Sequence, residues 1–182
     1  MKKLLVASLL LALAAGCVSI PNPFLHGTPD YSKLPADSLK AVAMEIEQAV
    51  QEGNREPGIK DRDGIVVTSE PIVQAIRMRA ARSQLLNEFL DSGFGREENN
   101  GLVKILGSKK YTKATSGRER NRNAMLVLNE NNDRWTLYEG IVKQSKLKGA
   151  LATLQDAFHQ ARVASMKPGQ KYQDAEGNTA VK

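Results

Sequence analysis

Residues 118–146 read RERNRNAMLVLNENNDRWTLYEGIVKQSK, a run with no proline and a single glycine, Gly140. Such a stretch predicts one long helix from about Arg118 to Lys146, with Met125, Leu128, Trp135, Leu137, Tyr138, Ile141 and Val142 as candidate core residues. Downstream, Leu147 to Gly149 marks a break. A further helix is expected from about Ala150 to Ala164, with Leu151, Leu154, Ala157, Phe158 and Ala161 on one face. Lys167-Pro168-Gly169 then turns the chain into an extended tail carrying Tyr172.

Upstream, residues 93–117 read as a glycine-punctuated loop, with Leu102 to Leu106 as a short strand inside it. Before the loop, a helix is expected to start at Ser69, a capping type, with Glu70 and Pro71 suited to its first turn. Ile72, Val73, Ile76, Ala80, Leu86, Phe89 and Leu90 form its apolar side, and Gly93 and Gly95 stop it. Ile65-Val66-Val67-Thr68 is a β-type run, read as one strand. The first helix is expected after a cap at Asp37 or Ser38, with Leu39, Val42, Ala43, Ile46, Ala49 and Val50 inward and an end by Gly53. The fold class is therefore mainly α: about four helices, short extended segments near 65–68, 102–106 and 170–173, and a proline-rich N-terminal tether. Aromatic content of 5% argues against a large sandwich or barrel.

The tether has its own chemistry. Lys2 and Lys3 precede an apolar stretch from Leu4 to Leu13 interrupted only by Ser8, and the stretch closes on Ala14-Ala15-Gly16-Cys17. A basic start, a short apolar core and small residues at the cleavage point define a secretory signal peptide. The run is too short to span a bilayer. It resembles a bacterial lipoprotein signal peptide with its lipobox, the leucine lying one place earlier than the commonest pattern. The resemblance implies cleavage after Gly16 and a covalent diacylglycerol and N-acyl chain on Cys17, the only cysteine. Two or more acyl chains anchor stably where one does not. Residues 1–16 are thus a signal peptide, and 17–35 a lipidated flexible linker broken by Pro21, Pro23, Pro29 and Pro35. Residues 36–182 form the helical domain. Loss of Lys2 and Lys3 leaves 24 basic against 20 acidic side chains. With no second cysteine, there is no disulfide framework.

Catalytic chemistry finds little purchase. His26 lies in the linker and His159 on the last helix, read as a surface residue, and neither has a second metal-ligand type at finger or helical spacing. No Gly-x-Ser-x-Gly elbow occurs. Gly101 to Lys109 fails as a phosphate loop, because Ser108 precedes Lys109 where lysine must come first. Glu97-Glu98-Asn99-Asn100 lacks calcium-loop spacing and reads as a solvated turn. No catalytic residue, metal ligand or cofactor other than the acyl chains is expected, and the chain is read as a non-enzyme.

Charge is concentrated between residues 104 and 122. Lys104, Lys109, Lys110, Lys113, Arg118, Arg120 and Arg122 face Glu119 alone. The plain reading is a solvated loop and helix start. The functional one is a surface for phospholipid headgroups, lipopolysaccharide phosphates or an acidic partner. Nucleic acid is excluded by the compartment and by the lack of interleaved aromatics beyond Tyr111. Arg134 and Tyr138, four apart, share a helix face. They form either a polar patch beside Trp135 or a buried tyrosine under an arginine stem.

Over about residues 75–182 the chain resembles the YdbL-like family of periplasmic proteins, a domain of unknown function. The resemblance rests on Gly93-Phe94-Gly95-Arg96-Glu97 with Gly101-Leu102, on Arg134 with Tyr138, Ile141 and Val142, and on Ala157 and Ala161 followed by Pro168, Gly169, Tyr172 and Gly177. Arg96 stands where a second glycine is usual, Gln170 for a frequent acid, and Thr179 for a tail tryptophan. What the resemblance implies is a helical envelope protein acting non-catalytically as an adaptor or modulator, partnered by an AsmA-like bridging protein, in phospholipid transport or outer-membrane maintenance. Two alternatives stay open. One is a lipid-binding carrier with an apolar groove lined by residues such as Phe89, Leu128 and Ile141. The other is a cell-wall-associated structural lipoprotein. The expected location is the periplasmic face of a bacterial membrane, Val18 after Cys17 favouring the outer one.

Overall fold

A computed structural model describes residues 35–182; the expected signal peptide, Cys17 and nearly all of the expected linker lie outside the described residues. Five helices and four short strands occur among these residues, so the fold is mainly α. The helices are α1 (Ala36–Gln51), α2 (Glu70–Asp91), α3 (Lys109–Ala114), α4 (Gly117–Gln144) and α5 (Leu151–Ser165). The strands are β1 (Gly95–Glu97), β2 (Val103–Ile105), β3 (Lys171–Gln173) and β4 (Thr179–Val181). They form one sheet in the order β2-β1-β3-β4, with β1 antiparallel to β2 and parallel to β3, and β3 antiparallel to β4.

All six apolar residues assigned to α1 are buried. The cap is not as expected. Pro35 precedes the helix, and its carbonyl accepts from Leu39 N at 2.8 Å, while Asp37 and Ser38 lie inside the first turn. Proline is tolerated there because it lacks only a donor that a helix start would leave unpaired. Residues 52–69 run back to the other end of the bundle. Residues 65–68 are extended but not a strand, with only an isolated bridge between Arg62 and Ile65. Side chains satisfy that backbone: Asp61 accepts from Val67 N (2.8 Å) and Thr68 N (3.1 Å), and Val66 N donates to Ser145 Oγ (2.8 Å). The β-branched residues serve burial, Ile65 and Val67 being in the core.

α2 starts where expected, yet the Ser69 hydroxyl makes no capping bond. Its direction follows that of α1, Glu47 meeting Arg79 and Gln51 meeting Asn87. α4 runs antiparallel to α2. Gly140 sits against Ile72 near the start of α2, Glu130 against Arg79, and Leu126 near Leu85. α4 begins with a capping box, Glu119 N donating to Ser116 Oγ and Ser116 N to Glu119 Oε2.

The inward stripe of α4 corrects the sequence reading. Met125 and Leu128 are about half exposed, Trp135 and Val142 are partly buried, and Val127, Glu130, Arg134, Leu137, Tyr138 and Ile141 face inward. The stripe carries two charges, so hydrophobicity alone pointed to the wrong face in the first half of the helix. The main core joins α1, α2, α4 and α5; a second cluster gathers Leu86, Phe89, Leu90, Val103 and Val127.

The 93–117 segment is more ordered than a loop. It contains β1, β2 and α3, the last capped by Ser108 Oγ accepting from Tyr111 N at 3.0 Å. The extended readings near 102–106 and 170–173 correspond to β2 and β3, whereas β1, β4 and α3 were not foreseen. On the outer side of β2, Asn131 accepts from Val103 N (2.8 Å) and donates to Val103 O (2.9 Å).

The contact at Gly140 yields a prediction. A Cβ there would lie 2.8 Å from Ile72 Cγ1 in a packed core. Gly140→Ala is expected to destabilise by about 1–3 kcal/mol from overpacking, outweighing the gain of about 1 kcal/mol in helix propensity. Urea denaturation of the two proteins checks this, and a more stable alanine variant would show that α2 and α4 separate freely.

Candidate functional site

Six side chains close a ring in the interior. Glu47 of α1, Arg79 of α2, Glu130 and Arg134 of α4, Glu97 of β1 and Arg162 of α5 alternate in charge, and none is more than 3% exposed. Arg79 pairs with Glu47 through both terminal nitrogens (2.9 and 2.8 Å) and donates from Nε to Glu130 Oε1 (2.9 Å). Arg134 donates from Nε to the same oxygen (2.7 Å) and grips Glu97 through two nitrogens (2.6 and 2.9 Å). Arg162 completes the circuit to Glu97 and Glu47, each at 3.0 Å. Bidentate arginine–carboxylate pairs satisfy charge and planar geometry together.

The Gly101 carbonyl extends the ring. It accepts from Tyr138 Oη (2.8 Å), Arg162 Nη2 (3.0 Å) and Arg134 Nη1 (3.2 Å). Gly101 has φ +82°, and a Cβ there would lie 3.1 Å from Tyr138 Oη, so both the turn and the approach of Tyr138 favour glycine. Arg162 also donates to Tyr138 Oη at 3.0 Å. A void of about 20 Å³ borders the ring, lined partly by Arg79, Arg134, Arg162, Met166 and Gln170.

The electrostatics follow from this pairing. Burial opposes ionisation of Glu130, yet Arg79 and Arg134 hold its carboxyl down to about 2. Burial opposes ionisation of Glu97 as well, and Arg134 and Arg162 outweigh it, lowering its pKa. The Arg79 and Arg134 guanidinium groups are raised despite burial, because two carboxylates face each. The ring is balanced, with three charges of each sign.

His159 does not lie on the surface as read from the sequence. It is 8% exposed, with Nε2 3.0 Å from the Gln173 carbonyl and its ring 6.5 Å from that of Tyr172. Its Nδ1 is buried and has no partner among the described residues. Burial first, and Arg162 second, lower its pKa. The residue is drawn inside because β3 lies across its side of α5.

The other expected residues divide into two groups. Arg134 and Tyr138 are interior, which rules out the surface patch; the arginine head is buried along with its stem. Glu97 is likewise buried rather than in a solvated turn, and Glu98 pairs with Arg96 at 2.5 Å. Gly93 follows α2, its carbonyl accepting from Lys171 Nζ at 2.8 Å. Pro168 and Gly169 form an exposed turn, Gly169 N donating to the Lys182 carbonyl (3.1 Å), and Tyr172 is half-buried on β3. Lys109, Lys110, Lys113, Arg118 and Arg122 are exposed on α3 and α4. Arg120 is partly buried and donates to the Thr112 (3.3 Å) and Thr115 (2.5 Å) carbonyls, and Lys104 lies apart on β2, 4.0 Å from Glu98.

Phe89, Leu128 and Ile141 do not line a common groove. Phe89 belongs to the second cluster, Ile141 to the main core, and Leu128 faces out. Among the described residues no group of three or more His, Cys, Asp or Glu could hold a metal ion, and no helix is long and apolar enough to cross a membrane. Compared with family models, curated proteins and solved structures, the chain gives no significant match.

Glu47, Arg79, Glu130 and Arg162 escaped the sequence reading. Their signal was present: each is a charge on an apolar stripe, as Glu47 is between Ile46 and Val50.

Removing one ring member leaves each of its two buried neighbours with a single ring partner and an uncompensated share of charge. Glu130→Leu is expected to cost about 3–5 kcal/mol, read by chemical denaturation. Because Glu97 and Glu130 titrate lower in the folded state, the unfolded chain takes up more protons in acid. Their contribution is complete above the ordinary glutamate value of 4.5 and is lost as pH falls toward about 2. Melting temperature should drop across that window, and Glu130→Gln should flatten the drop. His159 adds a second slope at higher pH. Its lowered folded pKa means stability falls as pH drops through the ordinary histidine value of 6.5, and His159→Gln should remove that slope in the same titration.

Proposed function

We propose that this chain is a membrane-anchored lipoprotein of the bacterial cell envelope, related to the YdbL-like family. It acts without catalysis, through protein contacts, as an adaptor or modulator in phospholipid transport or outer-membrane maintenance. The observation that carries this reading is Leu13-Ala14-Ala15-Gly16-Cys17 behind a basic start and a short apolar stretch. The family relation draws support from where its motif residues sit. Three separated segments meet: Arg134 and Tyr138 both donate to the Gly101 carbonyl, and the Gly93 carbonyl accepts from Lys171, next to Tyr172. Glu97, Gly101, Arg134 and Tyr138 thus share an interior, while Pro168, Gly169 and Gly177 lie in exposed turns.

Action through contacts draws support from the division of polar and apolar groups. Six charged side chains are used inside, while Met44, Met78, Leu85, Met125 and Leu128 stay exposed. An AsmA-like bridging protein is the partner class proposed. A phospholipid carrier is less well supported, because the expected lining residues do not meet: Phe89 lies in the second cluster, Ile141 in the main core, and Leu128 faces out.

Labelling with radioactive palmitate should mark the chain, and Cys17→Ser should abolish both the label and membrane fractionation. The lipidated protein is then captured from detergent-solubilised membranes and its eluate analysed for protein and lipid. Recovery of a large bridging protein or another lipoprotein supports the adaptor reading. Stoichiometric phospholipid with no protein partner would replace that reading with the carrier.

A further inference from the structure

We infer that the end of the molecule built from α3 and the first two turns of α4 is a docking surface for an anionic, phosphate-bearing lipid bilayer. It deepens the proposed function, relying on the anchored-lipoprotein reading only for how the protein is presented. Lys109, Lys110, Lys113, Arg118 and Arg122 are exposed there and form no ion pair among the described residues. Two carboxylates lie nearby, Glu119 in the capping box and Glu88 hydrogen-bonded to Gln84 Nε2 at 3.0 Å; both keep their charge, and the five cations outnumber them.

The cations belong to one rigid surface. Arg120 ties α3 to α4 through the Thr112 and Thr115 carbonyls, and Asn123 donates to Tyr111 Oη at 3.3 Å. Tyr111 packs on Phe94 with ring centroids 5.1 Å apart. Along α4, Arg118, Arg122 and Met125 recur at i, i+4 and i+7 and share a face. Arg122 also lines the groove that holds Leu85, and Leu85 and Met125 are 52% and 54% exposed.

Unpaired cations beside exposed apolar side chains match a bilayer interface, where phosphates meet the ends of acyl chains. Single-stranded nucleic acid fits poorly, because Tyr111 is buried and Phe94, partly buried, is packed against it. Each cation near an anionic surface strengthens partitioning by about fivefold at low salt, and screening erodes the effect.

The test presents the full lipidated chain on neutral phosphatidylcholine vesicles and measures capture of labelled acceptor vesicles by flotation. Acceptors containing phosphatidylglycerol should be captured and those of phosphatidylcholine alone should not, with capture falling as salt rises. The K109E/K110E/K113E and R118E/R122E variants should each capture at least about tenfold less while melting at the wild-type temperature. Equal capture of both acceptors overturns the proposal. So does full capture by the reversed variants, or retention of a soluble acidic protein or polymer in place of vesicles. A chain that does not float with the neutral vesicles refutes the anchor and not the surface. It is then floated directly on phosphatidylglycerol vesicles, where binding lost on charge reversal supports the surface and no binding overturns it.

Discussion

Six charges held out of water set the terms for this fold. Each ring member has two partners of opposite sign on other ring residues, drawn from four helices and one strand. An ionised group withdrawn from water is costly unless its partners are in place, so a partly assembled bundle strands charge in its interior. A packing that shifts α1 by one turn keeps much of its apolar contact but takes Glu47 away from Arg79 and Arg162. We regard the ring as a device for uniqueness more than for stability, since apolar replacements of similar volume are often as stabilising. The β1–β2 connection is held by the same device, because Arg134, Tyr138 and Arg162 converge on one carbonyl of that turn.

Much of the helical layout was legible from periodicity. Leu39 to Val50, Ile72 to Leu90 and Leu154 to Ala161 fall on the expected faces because their stripes are mostly apolar. Legibility failed where the stripe was charged. In the first part of α4 the inward residues are Val127, Glu130 and Arg134, so a search for apolar spacing settled on the exposed Met125 and Leu128. Hydrophobic pattern does not distinguish a solvated glutamate from one meeting three arginines; the partners of Glu130 include Arg79, 51 residues away. The short elements were hidden for another reason. α3 has six residues and the strands three each, too few for a period to emerge. Residues 65–68 show the converse, a strand-like composition in which the N–H groups of Val66, Val67 and Thr68 donate to side chains.

The two ends of the bundle differ in character. α1, α2 and α5 begin at one end, where α4 finishes, so the chain enters the domain at Pro35 far from the cationic start of α4. With 28 residues, α4 spans about 42 Å, which separates the two ends. Sequence alone placed the seven cations in one stretch. Structure sorts them: Arg120 is taken up as an internal clamp, Lys104 belongs to the sheet, and five remain together in solvent.

Asn131 acts as a surrogate for a missing strand. Its amide meets the Val103 N–H and carbonyl as a neighbouring backbone would, so the β2 side of the sheet has no free register to offer. The other border, β4, is open and only three residues long. A sheet with both borders open can add copies without limit, whereas one with a single open border can join only border to border. Edge pairing at the β2 border is therefore blocked, by an asparagine side chain on the helix that lies along it.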